Sequence, residues 1–115
     1  MTDKDFVNAI YSELFKDNFA YYKEHLALPP NDNDDPYNLA RKAMVSLSES
    51  QKMDIINFLK VVIADSVSVV FGTIDGVHFP GEFDGDFVLS VEGEEIQGDL
   101  QDIFIGKAQD DAARE

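Results

Sequence analysis

Residues 6–26 show the hydrophobic periodicity of an amphipathic helix. Apolar side chains recur there every three or four positions and form one broad stripe. Proline cannot continue a helix, so Pro29-Pro30 must end this one. Thr2, followed three residues later by Asp5, has the spacing of an N-terminal cap. The pattern predicts a first helix over about 3–27.

Two further helices are indicated by their start signals. Asp35-Pro36 places a capping side chain before a proline in the first turn and predicts a second helix over about 36–46. Ser48 and Gln51 match a capping box, and a third helix is expected over about 49–71, ended by Gly72. Apolar residues cover nearly every side of the third helix. Either the other elements surround it or a second copy of the chain covers part of it.

The chain changes character after residue 71, where glycines recur at short intervals. Strand-forming residues on both sides of Glu92-Gly93 predict a short β-hairpin over about 86–97. Asp99 is expected to cap a short last helix over about 100–108. The predicted fold class is therefore α+β. A length of 115 residues suits a single domain over 1–115.

The aromatic residues near the end of the first helix allow two interpretations. Tyr21, Tyr22 and Phe19 form either an exposed patch that binds a partner or part of the core against the third helix. Core packing is the favoured interpretation.

The sequence shows neither a targeting signal nor a cysteine that could form a disulfide or a metal site. The acidic N-terminus lacks the basic start and apolar run of a signal peptide, and the chain has no Cys. The most apolar stretch, residues 55–74, has the length of a membrane span. Lys60 and Asp65 interrupt it, and each costs about 2.5–3.5 kcal/mol at a bilayer centre. We therefore expect a buried core helix in a cytoplasmic, bacterial protein that does not bind membranes.

Charge narrows the classes of partner. The chain has 23 Asp/Glu and 9 Lys/Arg, a formal charge of −14. Nucleic acids and anionic lipids bind clustered basic side chains, so we expect neither as a partner. The acidity is concentrated in residues 61–115, which carry −11, and residues 61–106 contain no Lys or Arg. A field of one sign in one half of a chain steers a partner of opposite charge.

The acidic C-terminal half is therefore the predicted partner-binding region, and the expected partner is a basic protein. The acidic side chains assigned to this surface are Glu82, Asp84, Asp86, Glu92, Glu94, Glu95, Asp99 and Asp102. The expected function is a non-enzymatic interaction protein without a cofactor. An alternative is a domain that mainly self-associates, as a homodimer through the helix over 49–71.

A second alternative is a small metal-dependent hydrolase centred on His78. Asp75 and Glu82 lie close to His78 in sequence, and an Asp–His pair can act as a base with its orienting group or as part of a metal site. Residues from Asp32 onward do not match a calcium-binding loop, because Pro36 and Tyr37 occupy the fifth and sixth positions. No glycine-rich phosphate-binding loop is present in the sequence.

Two segments carry a resemblance. Residues 71–77, Phe-Gly-Thr-Ile-Asp-Gly-Val, follow a long apolar helix, and residues 98–104, Gly-Asp-Leu-Gln-Asp-Ile-Phe, follow the predicted hairpin. In this order the chain resembles small uncharacterised bacterial proteins of immunity-protein-like build. The resemblance covers about half of the chain. It implies an inhibitor that neutralises a toxin by binding it, so an immunity or antitoxin-like protein is the concrete form of the interaction-protein hypothesis.

Overall fold

The described part of the chain forms helices and a small antiparallel hairpin, which confirms the predicted α+β class. A computed structural model of the chain describes residues 1–81 and 84–113, without the side chains of 112 and 113. The elements in chain order are α1 (Asp3–Ser12), a π-helical segment (Glu13–Asn18), α2 (Phe19–Leu26), α3 (Pro36–Met44), α4 (Glu49–Asp75), β1 (Ser90–Val91), β2 (Glu94–Glu95) and α5 (Leu100–Ala113).

The starts of the first three predicted helices are confirmed, each with a side-chain cap. Thr2 and Asp5 cap α1 reciprocally: the Thr2 amide donates to Asp5 Oδ2 at 3.0 Å and the Asp5 amide donates to Thr2 Oγ1 at 3.2 Å. Ser48 and Gln51 form the same exchange before α4, at 3.0 and 3.1 Å. Asp35 Oδ1 accepts from the Asn38 amide at the start of α3. These caps supply acceptors to amides that no preceding turn can serve.

The predicted first helix is helical over residues 3–26 but contains a π-helical segment at Glu13–Asn18. The wider turn shifts the apolar stripe, so that the buried positions are Val7, Tyr11 and Phe19. Each residue in a π turn bonds five positions along the chain, and a stripe spaced by three and four does not reveal it. The sequence therefore predicted the length of the helical stretch but not its internal register.

The third helix was predicted to end at residue 71, and that end is wrong, because α4 continues to Asp75. The helix stops at Gly76, whose φ is +78°, with the Val77 amide bonded to the Gly72 carbonyl at 2.9 Å. A glycine in the left-handed region is the usual helix terminator. Gly72 has a different role inside the helix: a Cβ there would lie 2.5 Å from Gln101 Nε2. The Gln101 side chain of α5 occupies the space beside this glycine, so Gly72 serves helix packing rather than chain termination.

The hairpin is shorter than the predicted 86–97. Its strands pair Ser90 with Glu95 and Val91 with Glu94, and the Ile96 amide adds a bond to the Leu89 carbonyl at 2.8 Å. Residues 92 and 93 have φ values of +53° and +85°, as a two-residue primed turn requires. Residues 86–89 lack strand pairing in the described chain. The ladder ends there because the chain turns away after Gln97: Gly98 has a φ of +128°, and its amide donates to Asp75 Oδ1 at 2.7 Å.

The last helix was predicted to end at residue 108 and instead runs to Ala113. Ala108, Gln109 and the two following aspartates contain neither Gly nor Pro, and alanine and glutamine favour the helix. The second helix ends at Met44 rather than near 46, and Leu39 within it is 50% exposed.

The chain divides into two compact units. The first unit is Met1–Ser12 with Ile63–Glu115, and the second unit is Glu13–Val62. The prediction of a single domain over 1–115 stays a prediction. Each unit has its own buried side chains. The first unit buries Val7, Tyr11, Phe71, Ile96, Leu100 and Phe104, and the second unit buries Phe19, Asn38, Met44 and Ile56.

Aromatic rings form the core of the first unit. Phe71 lies 6.0 Å from Phe6 and 5.5 Å from Phe104, and Tyr11 lies 5.7 Å from Phe104, measured between ring centroids. These tilted and edge-on arrangements are the ones aromatic pairs prefer. They join α1 and α5 to the C-terminal part of α4 and so position the surface described next.

Candidate protein-binding surfaces

The acidic residues assigned to partner binding lie on exposed backbone. Asp84 and Asp86 precede the hairpin, Asp99 and Asp102 flank the start of α5, and the hairpin carries three more. All seven side chains are exposed, and Glu82 lies outside the described residues. Glu92 is in the turn, with Glu94 and Glu95 in β2. The tight turn thus presents three carboxylates within four residues.

Charge divides between the two compact units more sharply than between the halves of the sequence. The first unit contains 15 Asp/Glu and three Lys/Arg, a formal charge of −12. The second contains eight Asp/Glu and six Lys/Arg, a charge of −2. Among the described residues, an ion pair joins Lys52 Nζ and Glu49 Oε1 at 3.4 Å, in the second unit. The acidic field therefore originates in the first unit.

Asp75 connects the two segments that carry the immunity-protein resemblance. It lies at the end of α4, and its carboxylate accepts three backbone amides at the start of α5. Oδ1 accepts from Gly98 at 2.7 Å and from Leu100 at 3.2 Å, and Oδ2 accepts from Gln101 at 2.8 Å. A carboxylate at this place also interacts favourably with the helix dipole.

The expected side-chain cap of α5 was Asp99, and the hydrogen bonds correct this prediction. The Asp99 carbonyl accepts the first helical bond, from Ile103, but the carboxylate that receives the free amides belongs to Asp75. Gln101 adds a second link, since its Nε2 donates to the Ser68 carbonyl of α4 at 2.9 Å. Asp75 and Gln101 thus fix the start of α5 against α4.

The alternative site of Asp75, His78 and Glu82 stays a prediction. Glu82 lies outside the described residues, while the exposed His78 follows the end of α4 and its amide donates to the Gly72 carbonyl at 3.1 Å. Asp75 uses both carboxylate oxygens for backbone amides. Within the described chain, no three His, Asp or Glu side chains gather as ligands for a metal ion.

An open groove lies between α4 and α5 in the first unit, with a volume of about 490 Å³. Val69 on its α4 side is 44% exposed, and Phe104 beneath it is fully buried. The lining is mainly apolar and includes the exposed Asp65 and Gln109. The complete lining is Ala64, Asp65, Ser68, Val69, Phe104, Ile105, Ala108 and Gln109.

An aromatic cluster in the second unit was only partly foreseen. Tyr21 stacks on His25 with ring centroids 3.8 Å apart, and Tyr37 of α3 lies 6.1 Å from Tyr21 and 6.3 Å from Tyr22. Tyr21 is 50% exposed, whereas Phe19 is buried. The favoured core-packing interpretation is therefore confirmed for Phe19 but wrong for Tyr21, which lies in a partly exposed cluster with Tyr22, His25 and Tyr37. The i,i+4 spacing of Tyr21 and His25 on one helix was the available signal for the stacked pair.

The environment of this cluster acts on the Tyr37 phenol. Desolvation, followed by the neighbouring phenols of Tyr21 and Tyr22, raises the pKa of Tyr37 above its ordinary value of 10.0. Both effects disfavour the charged phenolate form of Tyr37. Tyr37 consequently offers a neutral phenol and a ring face to its surroundings.

The long apolar helix α4 is largely exposed, which corrects the expectation of a buried core helix. Only 17% of its most apolar 18-residue window is buried. By length and composition alone this helix could cross a membrane, a criterion that core helices and signal sequences also meet. Ile56 and Phe71 are the large apolar side chains of α4 that are buried, each within its own unit. Half-exposed apolar side chains of α4 are Ile55, Phe58, Val61, Val62, Val69 and Val70.

Comparison with known proteins identifies no relative from which a function could be inferred. No protein-family model, curated protein or solved structure matches this chain. The likeness to immunity-protein-like builds stays a prediction from residues 71–77 and 98–104. The structural finding that bears on those residues is the cap that joins them through Asp75.

Proposed function

We propose that this chain is a non-enzymatic interaction protein that binds a basic protein partner, with an immunity or antitoxin-like inhibitor as the concrete form. The observation that carries the proposal is the charge of −12 on the first unit against −2 on the second. Solubility alone requires net charge but no segregation of it, and uncompensated like charges destabilise a compact unit. A basic partner would relieve that repulsion on binding.

The exposed carboxylates of the hairpin support the same proposal. Glu92, Glu94 and Glu95 are all exposed on a short, tightly turned hairpin. Clustered exposed charges act mainly on the rate of encounter and on its salt dependence, because they act over the distance at which two proteins approach. Exposed apolar side chains of α4 and of the groove would supply short-range affinity, since contiguous apolar surface commonly marks protein interfaces.

The partner is identified by capture followed by matched variants. The protein is immobilised, lysate from its source is passed over it, and a salt gradient elutes what binds. The expected result is one basic protein released at moderate salt. Association of that protein is then measured with two variants that each remove three negative charges. The hairpin variant carries Glu92→Gln, Glu94→Gln and Glu95→Gln. The loop variant carries Asp32→Asn and Asp34→Asn in the loop before α3, together with Glu24→Gln near the end of α2.

The two variants separate a localised field from net charge. At low salt we expect association with the hairpin variant to be about three- to tenfold slower and less salt-dependent, which is part of the roughly 10- to 10³-fold that steering contributes. The loop variant alters the less charged second unit and should change the rate by less than about twofold. Equal effects of both variants, or no effect of the hairpin variant, would reject the acidic surface as the binding site.

Self-association through α4 is a second proposal, favoured by the exposure of its apolar side chains. Phe58 is 61% exposed and Ile55 is 50% exposed. Pairing of two copies over residues 49–71 would remove such side chains from water, at roughly 25 cal/mol per Å². Multi-angle light scattering across a concentration series tests it, with Phe58→Lys as the variant expected to restore a monomer. A monomeric mass at all concentrations of the unmodified chain excludes this proposal.

A further inference from the structure

The groove between α4 and α5 has the shape and lining of a site for a folded segment of another chain. Its volume of about 490 Å³ falls in the range of ligand sites, but it is open to solvent along its length rather than enclosed. Small side chains, Ala64, Ser68 and Ala108, are half-buried along it. They leave space that larger side chains at the same positions would fill.

The walls of the groove favour one type of occupant. Both are α-helices, whose backbone amides and carbonyls are bonded within each helix, so the groove offers side chains and no strand edge. An extended peptide would find no backbone partners there, because β-addition needs an exposed sheet edge. An amphipathic helix satisfies its own backbone and needs only an apolar surface for its apolar stripe.

The charge around the groove indicates which charge the polar face of the bound helix should carry. Asp65 is an exposed member of the α4 wall, and none of the described lining residues is Lys or Arg. Lys107 of α5 is not in the lining, and its Nζ lies 5.2 Å from the Tyr11 ring centroid. The whole unit carries −12. Positive side chains flanking an apolar stripe therefore complement this surface.

We infer that the α4–α5 groove binds a basic amphipathic helix of the partner, an inference that rests on the proposed function and adds its contact site. The apolar stripe of the bound helix packs on Val69, Ile105 and Ala108. Its Lys or Arg side chains lie beside Asp65 and within the field of the acidic unit. The hairpin carboxylates act on the approach, and the groove holds the complex together.

The first test uses a synthetic probe with the inferred chemistry. A peptide of about 18 Leu and Lys residues, with Leu at helical spacing of three and four, is titrated into the full-length protein. A second peptide of the same composition has its Leu residues spread around the helix. Methyl NMR is expected to show shifts at Val69, Ile105 and Ala108 with the amphipathic peptide and not with the spread one.

Matched variants assign the site. Ala108→Leu fills the groove and should weaken binding of the amphipathic peptide about tenfold, whereas Ala20→Leu, on an exposed position of α2, should leave it unchanged. Asp65→Asn removes the charge of an exposed side chain without changing its shape, so the variant should fold normally. It should weaken binding of the amphipathic peptide about threefold. Asp54→Asn, also exposed on α4, is its control.

The outcomes distinguish this inference from the proposed function. If the hairpin variant slows binding of the natural partner while Ala108→Leu and Asp65→Asn leave both ligands unaffected, the acidic interaction protein stands and the groove is not its site. If Ala108→Leu weakens peptide binding but the hairpin variant has no effect on the partner, the groove binds helices and the acidic-surface proposal fails. Methyl shifts that depend on protein concentration without peptide, together with a dimeric mass, would assign the groove to a second copy and overturn the inference.

Discussion

At the scale of single residues, Asp75 is the acidic side chain whose removal should lower the free energy of unfolding most. Asp75→Ala removes the acceptor of three amides, and capping bonds to a carboxylate are worth about 1–3 kcal/mol. We expect urea denaturation to show a loss of about 2–3 kcal/mol. Asp75→Asn keeps one acceptor oxygen and should lose roughly half as much.

Asp86→Ala is the control for this prediction, because Asp86 is also an aspartate and is exposed in a segment without regular secondary structure. Its free energy of unfolding should change by less than about 0.5 kcal/mol, as for other exposed positions. Equal losses of unfolding free energy in Asp75→Ala and Asp86→Ala would mean that the hydrogen bonds from the three amides to Asp75 do not stabilise the fold.

The capping box at the chain start predicts a pH effect. The Thr2 amide and then the Thr2 hydroxyl hold the pKa of Asp5 below its ordinary value of 3.8. The folded state therefore favours the carboxylate, and the associated stability is present above pH 3.8 and is lost as pH falls through the lower folded value. Thr2→Val should raise the pKa of Asp5 part of the way back, as measured by carboxyl ¹³C NMR. Thr73→Val, a remote threonine in α4, should leave it unchanged.

The difference between local and distant residues explains what the sequence predicted about capping. Thr2 with Asp5, and Ser48 with Gln51, lie three positions apart, so their spacing alone identifies the bonds. Asp75 lies 26 residues from Gln101, and no periodicity joins positions that far apart. Sequence reasoning therefore assigned the α5 cap to the neighbouring Asp99, and only the folded arrangement reveals Asp75.

At the scale of the helices, two glycines should respond oppositely to alanine. Gly106 lies inside α5 with no atom within 4 Å of an added Cβ, and its replacement should stabilise the protein by about 0.5–1 kcal/mol. A Cβ at Gly72 would lie 3.2 Å from His78 Cβ and would displace the Gln101 amide that bonds to Ser68. Gly72→Ala should destabilise relative to Gly106→Ala by at least about 1 kcal/mol in urea titrations. Equal stabilisation by both would show that α5 does not pack closely on α4.

The same helix shows what apolar patterning predicts and what it does not. The apolar residues and the capping box predicted the start of α4 and its great length, since both depend on local propensity. Burial depends on how many elements pack around a helix, and the described elements leave Phe58 and Val70 more than half exposed. The acidic part of the candidate binding surface could therefore be predicted, because charge follows directly from the residue types. The exposed apolar part could not, because exposure depends on the packing of other elements.

For the whole molecule, segregated charge provides specificity at a cost in stability. The first unit holds its acids close together without matching bases, so repulsion within the unit opposes folding. A basic partner that engages this unit would gain from relieving the repulsion as well as from the contacts themselves. The unpartnered protein should consequently be less stable at low salt than at high salt.

Salt should therefore raise the melting temperature of the isolated chain. Between about 10 mM and about 300 mM NaCl, screening shortens from roughly 30 Å to under 10 Å, and we expect an increase of about 5 °C by circular dichroism. The hairpin variant should melt higher than the unmodified chain at 10 mM and gain less from salt, because it removes three charges from the first unit. The loop variant, with the same change in net charge, should retain most of the salt response. A melting temperature that falls with salt, or an identical response of the two variants, would contradict this prediction. Repulsion among the acids of the first unit would then be too weak to affect stability, and relief of that repulsion could not favour a basic partner.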